Sequence, residues 1–250
     1  MKVKCISFFS FLIVTAVYSS VVGQERDFKN QQQKYARVRQ AYSEKYDSLD
    51  HLLRTKGITH FNYELLIMTF KQEQLVEVWV KPKVKKEFLL LTSYDFCHTS
   101  GKLGPKRKQG DLQIPEGFYR VDRFNPNSNF YLSLGLNYPN SSDKIRSDKK
   151  SPGGDIFIHG DCVTIGCIPI TNDKIKELYV LAVEAKENGQ SKIRVFMFPF
   201  KMTVDRMNSY KSSSHYAFWK ELEPAYTYFM ANKLLPVIRF NNQGEYLINP

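Results

Sequence analysis

Between residues 57 and 64 the apolar side chains change their spacing, and the change divides the chain into helix first and sheet afterwards. Upstream, Tyr35, Val38, Tyr42, Tyr46, Leu49, Leu52 and Leu53 recur at steps of three and four. That is one stripe along a helix, and Gly57 is its stop. Downstream the period is two. Residues 65–70 and 75–80 read as strands around a short turn at 71–74, and 88–94 as a third, strongly apolar strand. Further strands are expected at 118–124, 130–136, 155–159 and 193–198. Gly, Pro and Lys make 101–115 a loop, and 137–154 is a second long polar loop. One helix interrupts the strands. Thr171 or Asn172 can cap it, Ile175, Leu178, Tyr179 and Ala182 form its buried face, and Gly189 ends it. Beyond residue 200, Phe218, Trp219, Leu222, Tyr226, Phe229 and Met230 predict helix, with Pro224 a break or a new first turn. Residues 237–240 and 245–248 predict a closing hairpin around a turn at 241–244. The expected fold class is β-rich α+β: a helical segment at 25–62, a mostly-β domain at 63–200 and a helix/hairpin extension at 201–250.

Residues 1–24 read as a secretory signal. Lys2 and Lys4 precede an apolar stretch at 6–17, and the small residues Ser19, Ser20 and Gly23 follow. The stretch is shorter than the ~20 residues a spanning helix needs, so cleavage and export are expected, with no integral membrane span afterwards. Cleavage removes Cys5 and leaves Cys97, Cys162 and Cys167. An odd number in an oxidising compartment leaves at least one thiol without a partner in the chain. Pairing Cys97 with Cys162 would leave Cys167 alone, but spacing does not establish that the two are close. The formal charge is +11, from 36 Lys and Arg against 25 Asp and Glu. It attracts anionic partners, whether nucleic acid, acidic lipid or an anionic wall polymer. Export and the lack of a nucleic-acid motif argue against nucleic acid.

The stretch from His159 to Cys167 carries the chemistry. A thiolate attacks acyl groups well, and a neighbouring imidazole can take the thiol's proton and return it to a leaving amine. Gly166 lets the backbone approach a substrate closely. The helix expected after Thr171 would favour a thiolate at its N-terminus. The same spacing also fits a structural Cys with a core His bonded to backbone. His159, Cys162 and Cys167 could hold three corners of a zinc site, without an evident fourth ligand. Cys97 and His98 form a second Cys/His pair, but neighbours in a strand point to opposite faces.

Residues 154–160, reading Gly-Asp-Ile-Phe-Ile-His-Gly, and residues 164–168, reading Thr-Ile-Gly-Cys-Ile, resemble the catalytic motif of the L,D-transpeptidases of the YkuD-domain family, in their YafK-like branch. The likeness extends to residues 70–80, 100–106, 110–119 and 137–140, and covers about 64–200. It implies a YkuD-like catalytic domain with Cys167 as nucleophile and His159 as general base and acid. The Gly160 carbonyl would orient the imidazole, and the amides of Gly166 and Cys167 would receive an oxyanion. Thr164 takes the motif's Ser/Thr position. The sequence departs from the broader family at Ile165, where a second His is usual, at Pro169, where an Asn is usual, and in its short His-to-Cys spacing. The implied substrate is a peptidoglycan stem peptide, attacked beside diaminopimelate. The outcome is transfer to an amine or hydrolysis, including release of a lipoprotein from peptidoglycan. No cofactor and no metal are implied. Lys102 and Arg146, one in each long loop, are candidate contacts for stem-peptide carboxylates, with solvated surface charge as the plainer reading. A catalytically inactive wall-binding module is the alternative from another class.

Overall fold

The computed structural model describes residues 27–249, so the signal-like residues 1–24 lie outside the described residues. Two helices come first, α1 (Phe28–Gln33) and α2 (Ala36–Thr55). Strands β1 (Tyr63–Phe70), β2 (Leu75–Pro82), β3 (Leu89–Asp95), β4 (Gly117–Asn125) and β5 (Ser133–Leu136) follow, then α3 (Ser141–Arg146). Next come β6 (Phe157–His159), β7 (Ile168–Pro169), α4 (Asn172–Glu187) and β8 (Arg194–Phe198). Helices α5 (Val204–Ser209) and α6 (Tyr216–Asn232) lead to the hairpin of β9 (Val237–Phe240) and β10 (Tyr246–Asn249).

The first eight strands form one mixed sheet in the order β3-β2-β1-β8-β4-β5-β6-β7. Strand β1 lies inside it, antiparallel to β2 and parallel to β8. Leu65 and Ile67 face a core built with α2 and α4, whereas Leu66, Met68 and Phe70 face a second core built with α6. Burial on both faces explains why this strand is nearly all apolar. Fully burying one such side chain is worth about 1.5–3 kcal/mol. The C-terminal extension is therefore the second layer of the sheet: Phe218, Trp219, Leu222 and Phe229 are buried against Phe196, Phe198 and Phe200.

The two edges of the sheet are brought together. The backbone N–H of Cys97, just past β3, donates to the Pro169 carbonyl of β7 at 3.1 Å. A disulfide joins Cys97 to Cys162, with Cα atoms 5.3 Å apart. A buried ion pair fixes the 101–115 loop. Lys71 Nζ lies 2.9 Å from Glu116 Oε1 and donates to the carbonyls of Gly104 and Ile114, each at 2.8 Å. The Glu116 carboxylate also accepts from the Gly104 amide and from Trp219 Nε1. Loop, sheet and α6 thus share one polar knot.

Several elements differ from the sequence expectation. Pro224 neither breaks α6 nor starts it, because the helix runs unbroken from Tyr216 to Asn232. A proline inside a helix costs ~3 kcal/mol or more. Burial of Trp219, Leu222, Ala225, Tyr226 and Phe229 around it outweighs that cost. The strand expected at 130–136 begins only at Ser133, and Phe130 has another task. Inside the 137–154 loop sits α3, started by a capping box in which Asn140 and Asp143 exchange side-chain and backbone bonds. The two-residue β7 has no sequence period to reveal it. Its Pro169 has no N–H to give and sits on the last strand of the sheet, the position a sheet tolerates. Among the described residues, no helix is long and apolar enough to cross a membrane.

Candidate active site

The site forms where β6 and β7 run side by side in parallel. Ile158 pairs with Ile168 and His159 with Pro169. Ile158 and Ile168 face the core shared with α4. Side chains alternate along strands, so His159 on β6 and Cys167, one residue before Ile168, face the opposite side together. They are diagonal neighbours across the strand pair. The spacing of eight residues is thus spent on one tight excursion between adjacent strands.

Two residues of positive φ bracket β6, Asp155 at 53° and Asp161 at 57°. Aspartate is among the residue types that tolerate this region. At Asp161 the chain turns back, and its N–H donates to Asn172 Oδ1 at 2.9 Å, which ties the turn to the start of α4. Thr171 caps that helix through the Lys174 amide, so Asn172 is free to hold the turn. Gly160 leaves no room for a side chain. A Cβ there would lie 2.3 Å from Asn172 Oδ1 and 2.9 Å from the Phe130 carbonyl.

His159 is almost fully buried, at 1% exposure. Its Nδ1 lies 2.5 Å from the Gly160 carbonyl. A carbonyl only accepts, so Nδ1 carries the hydrogen and Nε2 is left as the base. The Phe130 ring packs on the imidazole with centroids 4.6 Å apart. Burial pushes the imidazole below its ordinary value, while the Gly160 bond pulls the other way. The sequence reading gives Phe130 only to a strand and not to the site; its place in the turn before β5 shows only in three dimensions.

Cys167 is the free thiol among the described residues. Its Sγ accepts from the Phe157 amide at 3.4 Å and donates to the Asp155 carbonyl at 3.5 Å. Burial pushes the thiol above its ordinary value, with the Phe157 amide and the Lys106 charge opposing. Both shifts favour a neutral thiol beside a neutral imidazole over a thiolate–imidazolium pair.

Thr164 organises the backbone of the loop. Its Oγ1 accepts from the amides of Gly166 at 3.1 Å and Cys167 at 2.7 Å, and donates to the Cys167 carbonyl at 2.9 Å. The two amides expected to face an oxyanion are thus turned onto the threonine hydroxyl in this state. Gly166 has φ +139°, and a Cβ there would come 3.1 Å from the Gln113 carbonyl. The close approach it permits is to the 101–115 loop.

The basic residues separate in space. Lys102 is exposed in its loop, with its amide bonded to Gln113 Oε1. Lys106 is buried against Asp111 at 2.6 Å, and Arg107 reaches Asp143 at 3.2 Å. Arg146 is engaged by Glu221 at 2.6 Å and lies over the Phe218 ring. Its charge fastens α3 to α6, and it leaves the set of cations open to a ligand. The disulfide removes two other possibilities. Cys162 has no thiolate to give a zinc ion beside His159 and Cys167, and Cys97 cannot act as a nucleophile with His98.

A family profile described as the YkuD L,D-transpeptidase catalytic domain matches residues 65–195, which contain all of this site. The chain belongs to that family. YafK of Escherichia coli strain K12, named as a candidate L,D-transpeptidase, is 37% identical over 185 residues, 73% of each chain. YafK of Escherichia coli O157:H7 matches to the same extent. Among solved structures, the helical cell shape determining protein Pgp2 of Campylobacter jejuni aligns with a TM-score of 0.44 at 18% identity, covering 78% of this chain and 80% of Pgp2. Bd1075 of Bdellovibrio bacteriovorus aligns with 0.41 at 19% identity, covering 72% and 78%.

Proposed function

We propose that this YkuD-family domain is an exported cysteine acyltransferase acting on peptidoglycan stem peptides through a thioester on Cys167. The observation that carries the reading is the parallel pairing of β6 with β7, which brings the Cys167 sulfur to the Phe157 amide two residues from His159, whose Nδ1 is held by the Gly160 carbonyl. Nε2 is then the ring nitrogen available to the thiol.

In this reading the Cys167 proton passes to Nε2 as sulfur attacks the carbonyl carbon beside diaminopimelate. In this reading proton transfer accompanies attack, the direction in which burial biases both groups. The substrate oxygen takes the amides of Gly166 and Cys167 when Thr164 Oγ1 rotates away from them. Collapse breaks the carbon–nitrogen bond, and the leaving amine takes the proton from Nε2. An incoming amine or water then gives its proton to Nε2 and attacks the thioester, and the thiolate recovers the proton as it departs. Amine gives a cross-link or a protein attachment. Water gives a shortened stem or a released lipoprotein. Lys102 supplies a cation for a stem-peptide carboxylate. The Cys97–Cys162 disulfide supports an oxidising compartment outside the cytosol.

The test is mass spectrometry of muropeptides after incubation with the protein, with and without an added amine. New cross-links identify a transferase; shortened stems or released lipoprotein identify a hydrolase. Cys167→Ala abolishes either product. Undiminished turnover by that variant refutes the nucleophile, and sacculus binding without any product points to an inactive wall-binding module.

A further inference from the structure

A cleft of about 330 Å³ opens between the sheet and the C-terminal hairpin, and none of its lining residues belongs to the 159–167 loop. Its wall is the β4–β8 pair, where the register sets Phe118 opposite Phe196 and Arg120 opposite Arg194. Lys192, two residues before Arg194, extends the row of cations. Two arginines directly opposite in an antiparallel pair repel and weaken the sheet. Lys71, Lys106, Arg107 and Arg146, on other parts of the fold, have carboxylate partners. Among the described residues, the side chains of Arg120, Arg194 and Lys192 have none. The nearest acid on β4, Asp122, is paired with Arg123.

The other end of the cleft is apolar. Phe118 and Phe196 form its floor, and Phe240, 46% exposed, stands at its rim. The hairpin is held in place by Tyr246, whose ring meets Phe118 edge-on at 4.9 Å. At Gly117 a Cβ would lie 2.7 Å from the Tyr246 hydroxyl, so the hairpin closes onto β4 at a point only glycine allows.

The cleft and the catalytic pair share one face of the sheet. Val121 pairs with Leu136, Leu134 with Ile158, and Ile158 with Ile168, and all five face the α4 core. Phe118 and Arg120 alternate with Tyr119 and Val121, and so face the other way, as His159 and Cys167 do. Three strand spacings separate β4 from β7, about 15 Å. Between them, the Arg123 guanidinium lies 4.8 Å over the Phe157 ring.

We propose that this cleft is a second binding site, for an acidic peptide carrying at least two carboxylates on an aliphatic body. Paired guanidinium groups hold carboxylates bidentately, and the phenylalanine floor takes the aliphatic part. Resting on the function proposed above, the peptide is a peptidoglycan stem at a distance from the bond under attack. One piece of the polymer then touches both sites, and the unbalanced charge in the sheet acquires its counter-ions from the ligand.

The experiment uses the ¹⁵N-labelled Cys167→Ala protein, which binds without turnover, titrated with a purified disaccharide-tetrapeptide containing diaminopimelate. Amide shifts at Arg120, Arg194 and Phe240 support the cleft. In the same background, Arg120→Ser with Arg194→Ser weakens that set about tenfold or more, as loss of charged hydrogen bonds requires. The double variant relieves a like-charge pair, so its Tm does not fall. Unchanged affinity in the double variant overturns the proposal. So do equal shifts with inorganic phosphate at the same ionic strength, or shifts produced by phosphatidylglycerol vesicles and not by the muropeptide. Shifts confined to residues 159–167 overturn the cleft and leave the catalytic reading intact. Shifts confined to the cleft support it and count against the stem peptide as the Cys167 substrate.

Discussion

Replacing both Cys97 and Cys162 by Ser opens the covalent link between the two edges of the sheet. The bond closes a loop with a sequence separation of 65. For a loop of that length the chain-entropy relation gives about 4 kcal/mol of stabilisation, acting through the unfolded chain. The folded state keeps the Cys97 N–H to Pro169 carbonyl bond, so the edges stay in register while the loop from Gly160 to Gly166 loses its outer tether. The assay is urea unfolding of the wild-type and double-Ser proteins, followed by tryptophan fluorescence and circular dichroism. The expected loss is about 3–4 kcal/mol, with a larger denaturant slope because the unfolded chain without its cross-link exposes more surface. Activity falls as well, since the loop that presents Cys167 is then held only by the Asp161 bond to Asn172 and the Thr164 hydroxyl, without its covalent tether. A stability change under about 1 kcal/mol with an unchanged slope would refute the reasoning, because it would mean the cross-link does not restrict the unfolded chain.

Three further outcomes follow from the geometry. Gly160→Ala puts a methyl group 2.9 Å from the Phe130 carbonyl and closer still to Asn172, so kcat falls while the circular dichroism spectrum is retained; full kcat would show that the His159 turn is not tightly held. The rate at which iodoacetamide alkylates Cys167 rises with pH to an inflection above the ordinary thiol value, because burial disfavours the thiolate; fast alkylation at neutral pH would show a resting ion pair instead. Asp143 is pushed up to about 6 by burial, against 3.8 for an exposed carboxyl, despite Arg107 and the Tyr119 hydroxyl. The folded state therefore holds this proton more tightly. Its contribution is complete at pH below about 3.8 and is lost as pH rises through about 6, by about 3 kcal/mol in all. Asp143→Asn removes that part of the slope of unfolding free energy with pH, and an unaltered slope would place the titration elsewhere.

The sequence by itself determined the elements whose signal is local. The helix at α2 shows in its apolar stripe, most strands show in their period, and the two halves of the candidate motif show in the order of a few residues around His159 and Cys167. Those features depend on neighbours within a turn or a strand, which is where periodicity and glycine placement act. Tertiary structure decided everything that depends on partners far along the chain. It kept Pro224 inside a helix because a buried aromatic face holds it there, and it set Phe130 against His159 from outside any strand. It turned the amides of Gly166 and Cys167 onto Thr164. It also sorted the cations, burying Lys106 with Asp111 and fastening Arg146 to Glu221, yet facing Arg120 to Arg194 with no acid between them. A charge reads the same in any sequence, and only the distance to its counter-ion, fixed by the folded sheet, says whether it is already spent.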